Sequence, residues 1–312
     1  MRFRTVILST LILLLAEAAF AQTDHDAIMM NKKQWCNGIS YEHSQWNKYW
    51  EGTLKRDNEN IGTFTSQMAM FMSNYGITDR LNIMAGLPYV WNHVSAGTLH
   101  KMDGLQDGSL ALKYKALAIN HGKSKISLFG VVGGSTPLSN YVVDFLPLAI
   151  GFHSSTLTGR ALADYQYGKF FATASAAYTL RSNTEIDRTA YYTDHMIYSN
   201  KVDMPDVFNA MFSAGLRSRY LIAEAMVSNM VTQKGGFDIR RNDMPFASNT
   251  MNATSVGAHV KYTLPFYTHV EVTADGSYVV KGRNVGQATN FGAGVYYLFT
   301  FGKKTTTPAT HN

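Results

Sequence analysis

Asn290-Phe291-Gly292-Ala293-Gly294-Val295-Tyr296-Tyr297-Leu298-Phe299-Thr300-Phe301 is the stretch whose reading decides the fold. At a period of two, one face carries Phe291, Ala293, Val295, Tyr297, Phe299 and Phe301, and the other Asn290, Gly292, Gly294, Tyr296, Leu298 and Thr300. Side chains of an extended strand point alternately to its two faces, so this is a strand with one face ready for lipid. Upstream, Leu81, Ile83, Ala85, Leu87, Tyr89 and Trp91 alternate with Asn82, Met84, Gly86 and Pro88. Leu110, Leu112, Tyr114 and Ala116 alternate with Ser109, Ala111, Lys113 and Lys115, and Val256, Ala258, Val260 and Tyr262 with Ser255, Gly257, His259 and Lys261.

Alternation alone does not separate a soluble sandwich from a membrane barrel, because both have one apolar and one polar face. Strand length does. The pattern predicts strands over 34–46, 61–74, 80–94, 107–119, 125–134, 154–167, 170–181, 207–217, 220–232, 250–264, 267–280 and 288–301, about twelve in all. Most exceed the roughly 5 to 6 residues usual in soluble sheets and reach the roughly 9 to 11 that cross a bilayer at a tilt. Connections alternate between tight, at 76–79, 120–124, 168–169, 217–220 and 264–266, and long, at 47–60, 95–106, 135–153, 182–206, 233–249 and 281–287. That asymmetry fits an up-and-down antiparallel transmembrane β-barrel with short periplasmic turns and long external loops.

Composition agrees. Charged residues make up 16% of the 312 and hydrophobic ones 46%, with 18 Tyr and 17 Phe, which argues against disorder. Twenty-five Gly against 7 Pro favours extended structure, and the single cysteine excludes a disulfide or Cys-rich metal scaffold. The net charge of +6 comes from scattered basic residues without a stripe, so nucleic acid is not expected as a partner.

At the N-terminus, Arg2 and Arg4 precede an apolar run over 6–15, and Ala19-Phe20-Ala21 offers small residues for cleavage before Gln22. The expected organisation is a signal peptide over 1–21, a short solvated periplasmic leader over 22–33 with no plug domain, a barrel over 34–302 and a disordered tail over 303–312. Gly294, Tyr297 and Phe299 fit the terminal signal read by barrel-insertion machinery, although Gly292 stands at its usual polar position.

Tyr75-Gly76-Ile77-Thr78-Asp79-Arg80-Leu81, then Gly86-Leu87-Pro88-Tyr89, resemble the MetA-pathway of phenol degradation family of outer-membrane proteins. Asp103-Gly104-Leu105-Gln106-Asp107-Gly108-Ser109-Leu110, leading into Leu112-Lys113-Tyr114-Lys115, and Gly133-Gly134-Ser135-Thr136-Pro137 continue the resemblance, which covers roughly 75–140. It implies a transporter-like outer-membrane barrel, with aromatic solutes suggested by the family's name alone and no catalytic residues. His153, where the family's loop is richer in glycine, and the long polar loop 182–206 depart from its pattern and leave the substrate open.

With the apolar face of each strand toward lipid, Lys113, Lys115, Arg160, Asp164, Arg217, Glu224, His259, Lys261, His269, Glu271 and Asp275 are expected inside. They could bias which solutes pass, or pair across the lumen and close it. The external connection 141–150 is unusually apolar, which makes Phe145, Leu146 and Leu148 candidates for a constriction, unless they pack against neighbouring loops. His153 and Ser155 would share a strand face, as a His–Ser pair does in outer-membrane lipid hydrolases, but no orienting third group or oxyanion site can be assigned. Asp24, His25 and Asp26 with Met29 and Met30 have copper-binding side chains, yet read better as part of the solvated leader, so no metal or cofactor is expected. The sequence thus predicts a non-enzymatic barrel in outer-membrane lipid passing a small solute. A closed structural or adhesive barrel with partner-binding loops is the alternative.

Overall fold

The computed structural model describes residues 23–240 and 243–301. The expected signal peptide and C-terminal tail lie outside these residues. Twelve antiparallel strands form the barrel: β1 Gln34–Trp46, β2 Phe64–Gly76, β3 Leu81–Val94, β4 Asp107–His121, β5 Ser124–Pro137, β6 Thr156–Tyr167, β7 Phe170–Arg181, β8 Asp206–Arg217, β9 Leu221–Gln233, β10 Asn252–Thr263, β11 Val270–Arg283 and β12 Thr289–Thr300. Each pairs with its neighbours in sequence, and β12 closes on β1 in a register running from Gln34↔Thr300 to Gln45↔Thr289. Closure removes the free sheet edges, the condition for a sheet to sit in lipid. A short strand, Met102–Leu105, extends the sheet beside the upper half of β3.

Alternation places side chains as the sequence implies. Ile39, Leu110, Val132, Leu157, Phe291 and Val295 point outward and are exposed, Ile39 to 63%. In water such a surface would be a severe aggregation liability; in a bilayer it is the solvent-matched face. At the short-turn end Trp35 stacks with Phe301 and lies near Phe299, and Tyr267 meets Tyr297, the aromatic belt expected at a membrane interface. The two-residue turns begin with Gly122 and Gly168, both at positive φ, where a II′-type hairpin takes glycine.

The long loops form a second packed layer. Val143, Leu146 and Ala149 from 138–155 cluster with Ile186, Tyr191, Val202 and Met204 from 182–205 and with Ala247. The apolar run in the first loop is therefore explained by burial against its neighbours.

Candidate functional site

Residues 23–33 enter the barrel instead of forming a solvated leader. Their sequence explains why: Ala27-Ile28-Met29-Met30 is a four-residue apolar run whose burial the lumen provides. Met30 is fully buried against Cys36, Tyr296 and Leu298. Ile28 packs on Phe171 and Ile222, while Ala27 and Met29 lie against Met84, Phe129, Val131 and Leu162. The root of the segment is tied to the short-turn end, where Lys33 N donates to Gly76 O at 2.8 Å and Lys32 N to Asp79 Oδ1 at 2.9 Å. Gly76 is required here, because a Cβ at that position would collide with the Asn31 carbonyl oxygen.

The tip of the segment carries its charge. Asp26 accepts from Thr23 N at 2.7 Å, Thr23 Oγ1 at 2.9 Å and Ile28 N at 2.9 Å, which folds the chain into a compact turn. Lys113 of β4, with a fully buried side chain, donates to Asp26 Oδ1 at 2.9 Å, to Asp26 O at 2.6 Å and to Thr23 O at 2.8 Å. Arg160 of β6 reaches Asp24 Oδ2 through Nη2 at 3.2 Å, and His25 Nδ1 lies 3.1 Å from Asp24 Oδ1. Each carboxylate thus sits against a wall cation, the arrangement that makes a buried charge tolerable.

Around this segment the other expected lumen residues fall into several groups. Asp164 accepts from Thr173 Oγ1 at 2.6 Å and from Arg217 at 3.1 and 3.3 Å, and the Arg217 guanidinium lies 4.0 Å above the Phe171 ring. Glu224 and His259 pair at 3.2 Å, and Glu271 accepts from Thr263 Oγ1 at 3.1 Å. Lys261 is buried and lines a lumen cavity, which Asp275 also borders. Lys115 sits apart at the short-turn end, its amide bonded to Arg80 O.

His269 departs from expectation. It belongs to the turn before β11, where strand parity no longer fixes direction, and its ring stacks on the outward-facing Tyr297 while Nδ1 lies 3.0 Å from Leu298 O. The sequence reading also missed Glu42. Register aligns Glu42, Gly292, Asp275, His259 and Glu224 in one row across β1, β12, β11, β10 and β9. Their parity within each strand was the signal that could have found this row.

Two cavities flank the inserted segment, one of about 350 Å³ on the β8–β11 side and one of about 330 Å³ on the β3–β6 side. Thr23 and Asp24 border both, so the tip of the segment divides the lumen.

Above them the loop 138–155 folds over the mouth. Asn92 Nδ2, on the inner face of β3, donates to the carbonyls of Leu148 and Ala149 at 3.1 Å each. Leu148 is fully buried there, Leu146 lies in the loop core, and Phe145 points away, about half exposed. Of the three constriction candidates, Leu148 is held directly by a lumen-facing side chain, through the bond from Asn92 to its carbonyl. Tyr141 in the same loop donates to Asp107 Oδ1 at 2.5 Å, and burial with this bond raises its phenol pKa above the usual value.

The expected strand pairing of His153 and Ser155 does not form. His153 precedes β6 with a left-handed φ of 49° and packs edge-on against Tyr141, whereas Ser155 Oγ lies 3.0 Å from Thr136 Oγ1. Near the N-terminus, Asp24 and Asp26 are engaged by Arg160 and Lys113, and no cluster of three or more metal-ligating side chains occurs among the described residues.

No protein-family model matches the chain, and no curated protein matches it by sequence. Solved structures do. The COG4313 outer membrane channel from Pseudomonas putida F1 superposes with a TM-score of 0.70 at 14% identity, covering 90% of this chain and 100% of that one. The beta domain of the Bordetella autotransporter BrkA gives a TM-score of 0.47 at 13% identity over 86% of this chain and 100% of that one. The monoaromatic hydrocarbon channel CymD gives 0.38 at 11% over 88% and 90%. At 14% identity the first of these likenesses establishes shared architecture: the chain folds as an outer-membrane β-barrel with twelve strands.

Proposed function

We propose that the protein is an outer-membrane channel for small solutes, closed at rest by its own residues 23–30 and covered externally by the loop 138–155. The observation that carries this reading is the division of one lumen into two cavities by a segment held through side-chain contacts with the wall. A barrel built only as a wall would have its interior filled by strand side chains, as small barrels do. Here much of the filling is the segment that precedes β1, which can leave without unpairing any strand. The lining favours polar solutes over the aromatic ones implied by the family resemblance, because charged side chains from seven strands, β1, β4, β6 and β8–β11, face the lumen around the segment.

The chain from Gln22 onward and a second form lacking 22–30 are compared as single barrels in planar bilayers. The first is expected to conduct in brief, low steps and the second in larger, sustained ones. Silence from the shortened, folded barrel refutes the reading and favours a closed adhesive barrel, a role to which the tightly packed loop layer is also suited.

A further inference from the structure

The wall cations that hold the inserted segment are arranged as a binding site. Lys113 donates to three oxygen atoms of residues 23–26. Lys261 adds its electrostatic attraction to the same Asp26 carboxylate. Arg160 is served less well: Nη2 lies 3.2 Å from one oxygen of Asp24 as an ion pair, Nη1 reaches Ser175 Oγ at 3.4 Å, and Nε is buried with no hydrogen-bond partner among the described residues. A guanidinium binds a carboxylate best through two parallel N–H···O bonds, and the segment offers it a single one-oxygen contact instead. Asp24 borders both cavities and Arg160 the smaller one, so a solute within the lumen meets this pair directly.

From this geometry we infer that Lys113 and Arg160 form a lumen site for small organic anions, which the segment occupies with its own aspartates and which a solute bearing carboxylates takes by displacing it. The inference rests on the channel reading for its physiological meaning, but the site can be tested independently of conduction. Two carboxylates two residues apart in the segment make a short dicarboxylate the matching ligand. A tethered segment competes at an effective concentration on the order of millimolar, so displacement requires solute in that range or above.

The test uses succinate against its neutral isostere succinamide at matched ionic strength. Hydrogen exchange of the amides of 23–28 is measured on the folded protein in micelles, and single-channel current is recorded in bilayers. Succinate is expected to speed exchange in proportion to its concentration, about tenfold at ten times its Kd, and to lengthen open intervals, with succinamide inert. Arg160→Gln is expected to abolish the response, and Asp24→Asn with Asp26→Asn to exchange rapidly without ligand. Equal effects of succinate and succinamide, or an undiminished response in Arg160→Gln, overturn the inference. Accelerated exchange in a barrel that stays silent even without 22–30 upholds the site and refutes the channel. A conducting shortened barrel whose full-length parent ignores succinate does the reverse.

Discussion

Lys113→Met isolates the contact that holds the segment in place. Methionine retains much of the aliphatic length of lysine and removes the ammonium, and with it the bonds to Thr23 O, Asp26 O and Asp26 Oδ1. Removing one partner of a buried ion pair costs about 3–5 kcal/mol. Asp26 keeps three donors from Thr23 and Ile28, and its side chain is 16% exposed, which places this case at the low end, about 3 kcal/mol. The penalty falls on the docked state alone, since an undocked segment hydrates its carboxylate. At about 1.4 kcal/mol per factor of ten, the undocked-to-docked ratio rises on the order of 100-fold. Hydrogen exchange of the Ile28 amide, which donates to Asp26 in the docked turn, reports that ratio when opening is fast and reversible. Heat-modifiable migration in gels verifies barrel closure in the same sample. An unchanged exchange rate in a closed Lys113→Met barrel refutes the idea that this ion pair anchors the segment, leaving the apolar contacts of Ile28, Met29 and Met30 as its hold.

Asn92→Ala removes both donors to Leu148 O and Ala149 O and is expected to weaken the loop cover by about 1–3 kcal/mol. Faster proteolysis within 138–155, with the barrel core intact, is the readout, and unchanged cleavage refutes the clamp. A pH effect is expected at Asp238, whose carboxyl pKa is held below its usual value chiefly by the hydrogen bonds from Arg283, with the Asn284 amide and the Arg283 charge together outweighing the opposing effect of burial. Its contribution to ordering the 234–251 loop is therefore complete above about pH 4 and lost as pH falls through the lower folded pKa. Protection of that loop from an acid-active protease should decline over this range in the parent and be lower and flat in Asp238→Asn.

The wall of the barrel was legible because lipid imposes one rule on every strand. From Asn290 to Phe301 each outward position is apolar or aromatic, and the same parity located Lys113, Arg160, Asp164 and Lys261 on the inner face. The rule fails where strands stop: His269 keeps the parity of Glu271 but lies in a turn, so its ring turned outward. The inserted segment was hidden for a different reason. Residues 23–33 have no period, and their apolar run is too short to announce a partner; only the closed ring supplies Phe171, Ile222, Tyr296 and Leu298 at the right heights. Nor does a sequence distinguish a lysine facing water in a pore from one, like Lys113, whose ammonium is wholly taken up by a distant part of the chain.

Met30 touches Cys36 on the first strand and Tyr296 and Leu298 on the last, while the Lys33 carbonyl accepts the amide of Phe301 at 2.9 Å. The berth for the segment before β1 is therefore built partly from the last strand, and is whole only after the seam between β1 and β12 has sealed. Until then the segment has nowhere to dock. A docked segment 23–33 is thus a certificate of completed assembly, so a barrel arrested before its last strand joins would betray itself by a loose, protease-sensitive stretch ahead of β1.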